Sequence, residues 1–225
     1  MRTRKKPWAE SEFASNEKWI RKPDDFQGRW HGYFQNSNPI HIEIGCGKGG
    51  FIKELALRNP HINYIAVEKE EMVAVMALRL FRESGNPSNL ALIIGDVKEL
   101  GAYFAPGEIQ RIYINFCDPW HRKKKWAKRR LTHHHFLHLY DSLFEQGDIH
   151  FKTDNQMLFE FSLNELAGLG WHMRNITLDL HHSEFEGNTM TEYETKFNQM
   201  GMPIYRLEAS PPGKCGWLAP SETAE

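Results

Sequence analysis

The sequence predicts an α/β fold, a mostly parallel sheet wrapped by helices. Three observations carry that expectation. From Ile40 onward, short apolar runs alternate with stretches whose apolar residues recur every three or four positions, such as Met72, Met76 and Leu80 with Val73 and Ala77 beside them. The first apolar run feeds directly into a glycine cluster, Gly45-Cys46-Gly47-Lys48-Gly49-Gly50. The second and third end on an acid, Val67-Glu68 and Gly95-Asp96. Strand–helix alternation of this kind favours a parallel sheet over a sandwich or a bundle.

Taken in order, residues 1–38 are polar, with aromatics scattered at Trp8, Phe13, Trp19 and Phe26. They read as an N-terminal extension that lays its rings on a body or a partner. Strands are expected at Ile40–Ile44, Tyr64–Val67, Leu90–Ile94, Arg111–Phe116 and Asp148–Lys152, followed by His172–Leu178 and Ile204–Glu208. Residues 39–209 thus form one domain. Residues 210–225 have the composition of a tail and are expected to carry little order.

The chain has 225 residues, a length that suits one domain with a sizeable core. A mean hydropathy of −0.59 and the lack of any apolar run near the ~20 residues of a membrane span argue against membrane insertion. The basic start, Met1-Arg-Thr-Arg-Lys-Lys-Pro7, leads into no apolar stretch of a secretory signal. Three cysteines are too few and too odd for a disulfide framework, which points to a reducing cytoplasm. The net charge of −1 hides an asymmetry. Residues 121–130 hold seven Lys or Arg and no acid, which leaves −8 on the other 215 residues. Such a run is commonly a solvated face or a localisation signal. Here it follows a Pro-Trp at the end of a strand and encloses Trp126, a stacking surface for nucleic acid.

Glycine allows a sharp turn and close ligand approach, and the first strand-to-helix turn of a doubly wound sheet borders the ligand crevice. Gly45-x-Gly47-x-x-Gly50 alone fits a dinucleotide site or a purely structural turn. Glu43, two residues before Gly45, would repel a pyrophosphate and suits a cationic amino-acid end such as that of S-adenosylmethionine. Glu68 is placed to accept ribose hydroxyls, or else to sit as an acid at a helix N-terminus. Asp96 either reaches an adenine amino group or caps a helix from Val97. The fourth run, Ile112-Tyr-Ile-Asn-Phe-Cys-Asp-Pro-Trp120, delivers Asp118 to the carboxyl edge of the sheet, with Pro119 stiffening the turn and Trp120 offering an aromatic wall.

These segments, together with His150-Phe-Lys-Thr-Asp-Asn155 and Met190-Thr-Glu-Tyr-Glu-x-Lys-Phe197, resemble the bacterial tRNA (guanine-N7-)-methyltransferase (TrmB) family from about Lys6 to Leu207. The resemblance implies a class I, Rossmann-like methyltransferase fold, with a mostly parallel seven-stranded sheet and one antiparallel strand in the hairpin near 172–208. It implies S-adenosyl-L-methionine as cofactor, held by Glu43, Gly45, Gly47, Glu68, Asp96 and Asp118, with Asp118 also catalytic. Arg122, Asp154, Thr191, Glu192, Tyr193 and Glu194 would meet the guanine. Lys123, Lys124, Lys125, Trp126, Lys128 and Arg129 would meet RNA, and the target would be the variable-loop guanine at position 46 of tRNA. The loop departs from the family pattern: His121 stands for a Pro, Arg122 for a Lys, and Cys117 for a Pro before Asp118.

Guanine N7 carries a lone pair and no proton, so its methylation needs positioning rather than a strong base. Carboxylates at Asp118 and Asp154 would stabilise the charge that develops on the purine, although Asp154 is also placed to cap the next helix. Thr191, Glu192 and Glu194 could read the N1–H and amino edge of guanine. The histidines at 133–135 and 181–182 lack a nearby acid at ligand spacing, so no metal is expected. Cys46 and Cys117 read as small buried thiols, since N7 chemistry needs no covalent step. An exocyclic-amine methyltransferase, an NAD-dependent oxidoreductase and a non-catalytic RNA-binding protein share parts of the pattern. The partner is expected to be tRNA, with no membrane, no obligatory protein partner, and a monomer or homodimer.

Overall fold

The computed structural model describes residues 6–120 and 124–217, and for Lys124 and Lys125 the backbone alone. Its centre is an eight-stranded sheet. In chain order the strands are β1 (Trp19–Ile20), β2 (Ile40–Ile44), β3 (Asn63–Glu68), β4 (Leu90–Ile94), β5 (Ile109–Asn115), β6 (Phe144–Thr153), β7 (His172–Thr177) and β8 (Tyr205–Ser210). Across the sheet they lie in the order β1-β4-β3-β2-β5-β6-β8-β7. Only β8 runs against its neighbours, β6 and β7. The α/β fold with one antiparallel strand is as the sequence predicts. The eighth strand is an addition: Trp19 and Ile20 pair with Leu92 and Ile93. Two residues are too few for any periodicity to betray.

Burial explains the strand pattern. All five residues of β2 are buried, because a central parallel strand is covered on both faces. Ile40, Ile42 and Ile44 face one core with α2 (Trp30–Phe34), α5 (Leu100–Tyr103), α6 (His134–Leu143) and α7 (Gln156–Gly168). The opposite core joins α1 (Ala9–Ser15), α3 (Gly50–Arg58) and α4 (Glu71–Glu83) to Tyr64, Ala66, Leu92 and Tyr113. The last helix, α8 (Glu192–Gln199), stands at the carboxyl edge.

The N-terminal segment is woven into these cores. Trp30 is fully buried, donates its indole N–H to Tyr103 O at 2.9 Å, and packs 5.3 Å from the Phe26 ring. Arg82 on α4 holds Glu12 on α1 through two 3.0 Å bonds. At the other end, residues 210–217 are better held than their composition suggests. Lys214 donates to Asp141 O at 2.7 Å and accepts from Gly147 N–H at 3.1 Å, while Arg174 lies 4.0 Å over the Trp217 ring. Short-range composition does not register such contacts with distant strands.

No helix of the described residues is long and apolar enough to cross a membrane.

Candidate functional site

The carboxyl ends of five adjacent strands, β4, β3, β2, β5 and β6, each present an acid: Asp96, Glu68, Glu43, Asp118 and Asp154. The glycine loop leaves β2 with Gly45 and Gly47 at positive φ (71° and 59°), and Gly45 N–H bonds Val67 O at 2.8 Å. A Cβ on Gly45 or Gly47 would meet nothing within 4 Å, so the loop frames open space on its ligand side. Gly49 differs. Its φ is +77° and a Cβ there would fall 2.7 Å from the Phe81 ring, so it packs the loop against α4.

Glu68 braces this loop. Its Oε2 accepts from Gly47 N–H and its Oε1 from Glu70 N–H, both at 2.9 Å. Each oxygen keeps a further lone pair for a ribose hydroxyl. Asp96 caps the turn at Val97–Glu99 through Lys98 N–H at 3.1 Å and pairs with Lys69 at 2.7 Å. Burial works against its charge, but Lys69 and the Lys98 amide outweigh it and hold the pKa below the usual range.

Glu43 is buried, with Oε1 accepting from Asn115 Nδ2 at 3.0 Å and Oε2 lacking a partner of hydrogen-bond geometry. Burial pushes its pKa up to about 8, against the opposing pull of Asn115 and Lys152. An orphaned buried carboxylate oxygen beside an open glycine cradle fits the cationic end of a ligand such as S-adenosylmethionine.

β5 leads into a pinched loop. Phe116 and Trp120 flank Asp118 with φ of 52° and 45°, a left-handed backbone that costs bulky residues of order 1–3 kcal/mol each and concentrates at functional sites. Between them Asp118 is exposed and makes no hydrogen bond or ion pair to another described residue. Arg130 Nε anchors the loop at Pro119 O, 2.9 Å away. Trp120 meets Trp126 edge-on at 5.8 Å, with the Arg129 guanidinium 4.7 Å over the Trp120 ring. Trp126 and Arg129 therefore build the wall beside Asp118, and Lys128 is exposed. Arg122 and Lys123, with His121, lie outside the described residues, as do the side chains of Lys124 and Lys125.

At the end of β6 the helix cap is Asn155, whose Oδ1 accepts from Leu158 N–H at 2.9 Å. That frees Asp154 from the capping role its position suggested. The Thr191–Glu194 segment starts α8 with a capping box: Thr191 Oγ1 accepts from Glu194 N–H at 2.9 Å. Its side chains diverge. Tyr193 is exposed and stacks on Phe116 at 6.3 Å, and Phe197 on the same ring at 6.4 Å. Glu192 reaches Lys48 of the glycine loop at 2.7 Å. Glu194 turns inward and is fully buried, where Lys152 Nζ donates at 2.6 Å, Asn188 Nδ2 donates to the other oxygen, and His181 Nε2 stands 3.3 Å away. Both Glu194 oxygens are thus engaged by protein groups, and the side chain anchors the segment from behind.

Lys152 was not singled out by the sequence, although a lysine within a predicted buried strand, directly after Phe151, was a visible signal. It also donates to Thr189 O at 2.8 Å and lies 5.0 Å over the Phe51 ring. Lys48, Asn115 and Phe116 were missed too, because only the folded loop gives them partners. The surroundings of Cys46 and Cys117 disfavour their thiolates. Burial, then the nearby Asp118, pushes Cys117 up to about 12, and burial raises Cys46 well above its ordinary value.

Residues 37–207 match the family model described as "Putative methyltransferase". The chain is 50% identical over 212 residues to the tRNA (guanine-N(7)-)-methyltransferase of Clostridioides difficile, covering 93% of this chain and 98% of that one. Its identity to the enzyme of that name in Bacillus subtilis is 48% over 210 residues, covering 92% and 98%. Among solved structures, the 16S rRNA methyltransferase KamB superposes with a TM-score of 0.61 at 10% identity, over 82% of this chain and 93% of that one. A 16S rRNA (adenine(1408)-N(1))-methyltransferase from Catenulisporales acidiphilia, solved with its cosubstrate SAM, gives 0.57 at 14% identity, over 84% and 90%. At such identities these two carry the fold alone. The acids along one sheet edge, the glycine cradle and relatives half identical over nearly the full length make this chain a member of the S-adenosylmethionine-dependent tRNA (guanine-N(7)-)-methyltransferase family.

Proposed function

We propose that the carboxyl edge of the sheet transfers a methyl group to N7 of a guanine in tRNA, with the variable-loop guanine at position 46 as target. One observation supports it above all: five carboxylates end five adjacent strands, and the basic run 121–130 follows Asp118-Pro-Trp120 directly in sequence. S-adenosylmethionine, when bound, supplies an electrophilic sulfonium methyl. Glu43 would hold its ammonium end, Glu68 its ribose and Asp96 its adenine, against the backbone at Gly45 and Gly47. Asp118 and Asp154 would face the purine and stabilise the positive charge it gains, which needs no proton transfer. Thr191, Glu192 and Tyr193 would border the guanine, with Glu194 fixing their placement. Arg122, Lys123, Lys124, Lys125, Lys128 and Arg129 would bind phosphates, with Trp126 as a stacking surface. We place the reaction in the cytoplasm, as monomer or homodimer.

The test is methylation of unmodified tRNA by the purified protein, followed by borohydride reduction and aniline cleavage. Strand scission at a single variable-loop guanine is expected. Methyl incorporation that resists cleavage would assign the reaction to an amine or ring carbon instead and overturn the N7 reading.

A further inference from the structure

The histidine run at 133–135 has no acid close to it in sequence, but the fold supplies one. His133 is the N-cap of α6, and Glu165 projects from the neighbouring α7. Its Oε2 accepts from His134 N–H at 2.6 Å and lies 3.0 Å from His134 Nδ1. One ring nitrogen from each of His133 and His134 and a Glu165 oxygen all lie within 4.8 Å of one another. His135 adds a fourth group, with its Nδ1 2.7 Å from His133 Nδ1.

We propose that His133, His134 and Glu165 form a binding site for a divalent transition-metal ion of borderline softness, such as Zn2+, Co2+ or Ni2+. Two imidazoles and a carboxylate are a donor set these ions favour. Ligand atoms about 2.1 Å from a common ion stand roughly 3.0–3.5 Å apart, and the His134–Glu165 pair is already at that spacing. His133 Nδ1 accepts from His135 N–H at 3.4 Å and faces His135 Nδ1 at 2.7 Å, contacts that fix the orientation of the ring. The α6 N-terminus and the nearby Lys128 oppose a cation, whereas Glu165 brings a full negative charge into direct contact. The balance points to moderate affinity.

The site has no part in methyl transfer. Its place gives it another use, because His133 N–H bonds Arg130 O at 3.0 Å and Arg130 anchors the Asp118 loop at Pro119. A bound ion would tie α6 to α7 at the root of the basic segment. The test uses full-length protein without a histidine tag, stripped of metal by a chelator and titrated with Co2+ and Zn2+. One ion per chain is expected, with a dissociation constant of order micromolar, Co2+ d–d absorption and a higher melting temperature. His134→Ala and Glu165→Gln should each weaken binding at least tenfold and leave methyl transfer unchanged; the Gln retains an acceptor for His134 N–H. A His182→Ala control should bind as wild type. Absence of one-to-one binding below about 100 μM, or binding indifferent to both substitutions in proteins of native circular dichroism, would overturn the site and leave Glu165 as an interhelical cap only.

Discussion

Replacing Lys152 with Met would remove the ammonium that pairs with the buried Glu194 carboxylate while keeping most of the aliphatic volume. Lys152 Nζ serves Glu194 Oε2 at 2.6 Å, Thr189 O at 2.8 Å and Asn188 Oδ1 at 3.2 Å, and both charged side chains are almost fully buried. Breaking a buried pair from one side costs about 3–5 kcal/mol, because the remaining charge keeps its desolvation penalty. For a chain of this size that corresponds to a fall in Tm of roughly 6–20 °C. Denaturant titration and calorimetry would measure it. The decisive comparison is the double variant Lys152→Met with Glu194→Gln, in which no unpaired charge remains. It should recover at least about half of the loss, as neutralised pairs do. A single-variant cost below ~1 kcal/mol, or a double variant no more stable than the single, would refute the buried-pair account of how the Thr191–Glu194 segment is held.

Glu43 should make stability fall as pH rises: its folded pKa of about 8 exceeds the ordinary 4.5, so its contribution is full below pH 4.5 and lost by about pH 8. Unfolding measured at pH 5, 6.5 and 8 should show a shallower decline in Glu43→Gln, by on the order of 1 kcal/mol per pH unit; parallel declines would contradict the assignment. Wild-type affinity for S-adenosylmethionine should rise over the same window, because its ammonium favours the ionised carboxylate, and Glu43→Gln should abolish that rise in calorimetric titrations. Gly49→Ala should destabilise by about 2–5 kcal/mol through strain at positive φ and collision with Phe81, whereas Gly47→Ala should cost about 1–2 and mainly weaken cofactor binding; equal losses in denaturation would argue against the packing role of Gly49. Asp118→Ala should leave stability within about 0.5 kcal/mol, since the side chain is exposed, yet lower turnover about a hundredfold or more. Near-wild-type turnover would remove Asp118 from the mechanism.

The parallel sheet was legible because its strands are apolar runs punctuated by glycine and acids, a one-dimensional signal. The acids at strand ends were legible for the same reason: topology brings the carboxyl ends of the parallel strands to one edge. The partners of those acids were not. Nothing local says that Lys48 will reach Glu192 across 144 positions, or that Glu165 will meet His134. The left-handed backbone at Phe116 and Trp120 was equally hidden, since it falls on residues that disfavour it and is imposed by the surrounding packing. Asp154 and Asn155 show the smaller failure: either could cap α7, and only the folded turn selects Asn155.

The two margins of the sheet bear on how copies of the protein can meet. A bare strand edge offers unpaired N–H and C=O groups to any passing chain. At one margin β1 covers β4 with a pairing only two residues long, Trp19 with Leu92 and Ile20 with Ile93. At the other, β7 loses register between Arg174 and Thr177, where Asn175 turns to φ 50°. The first margin is too short to template a neighbour and the second too irregular. Among the described residues neither margin offers a long, regular edge for pairing between copies, and removal of the first twenty residues would lay bare β4, one of the most apolar strands in the molecule.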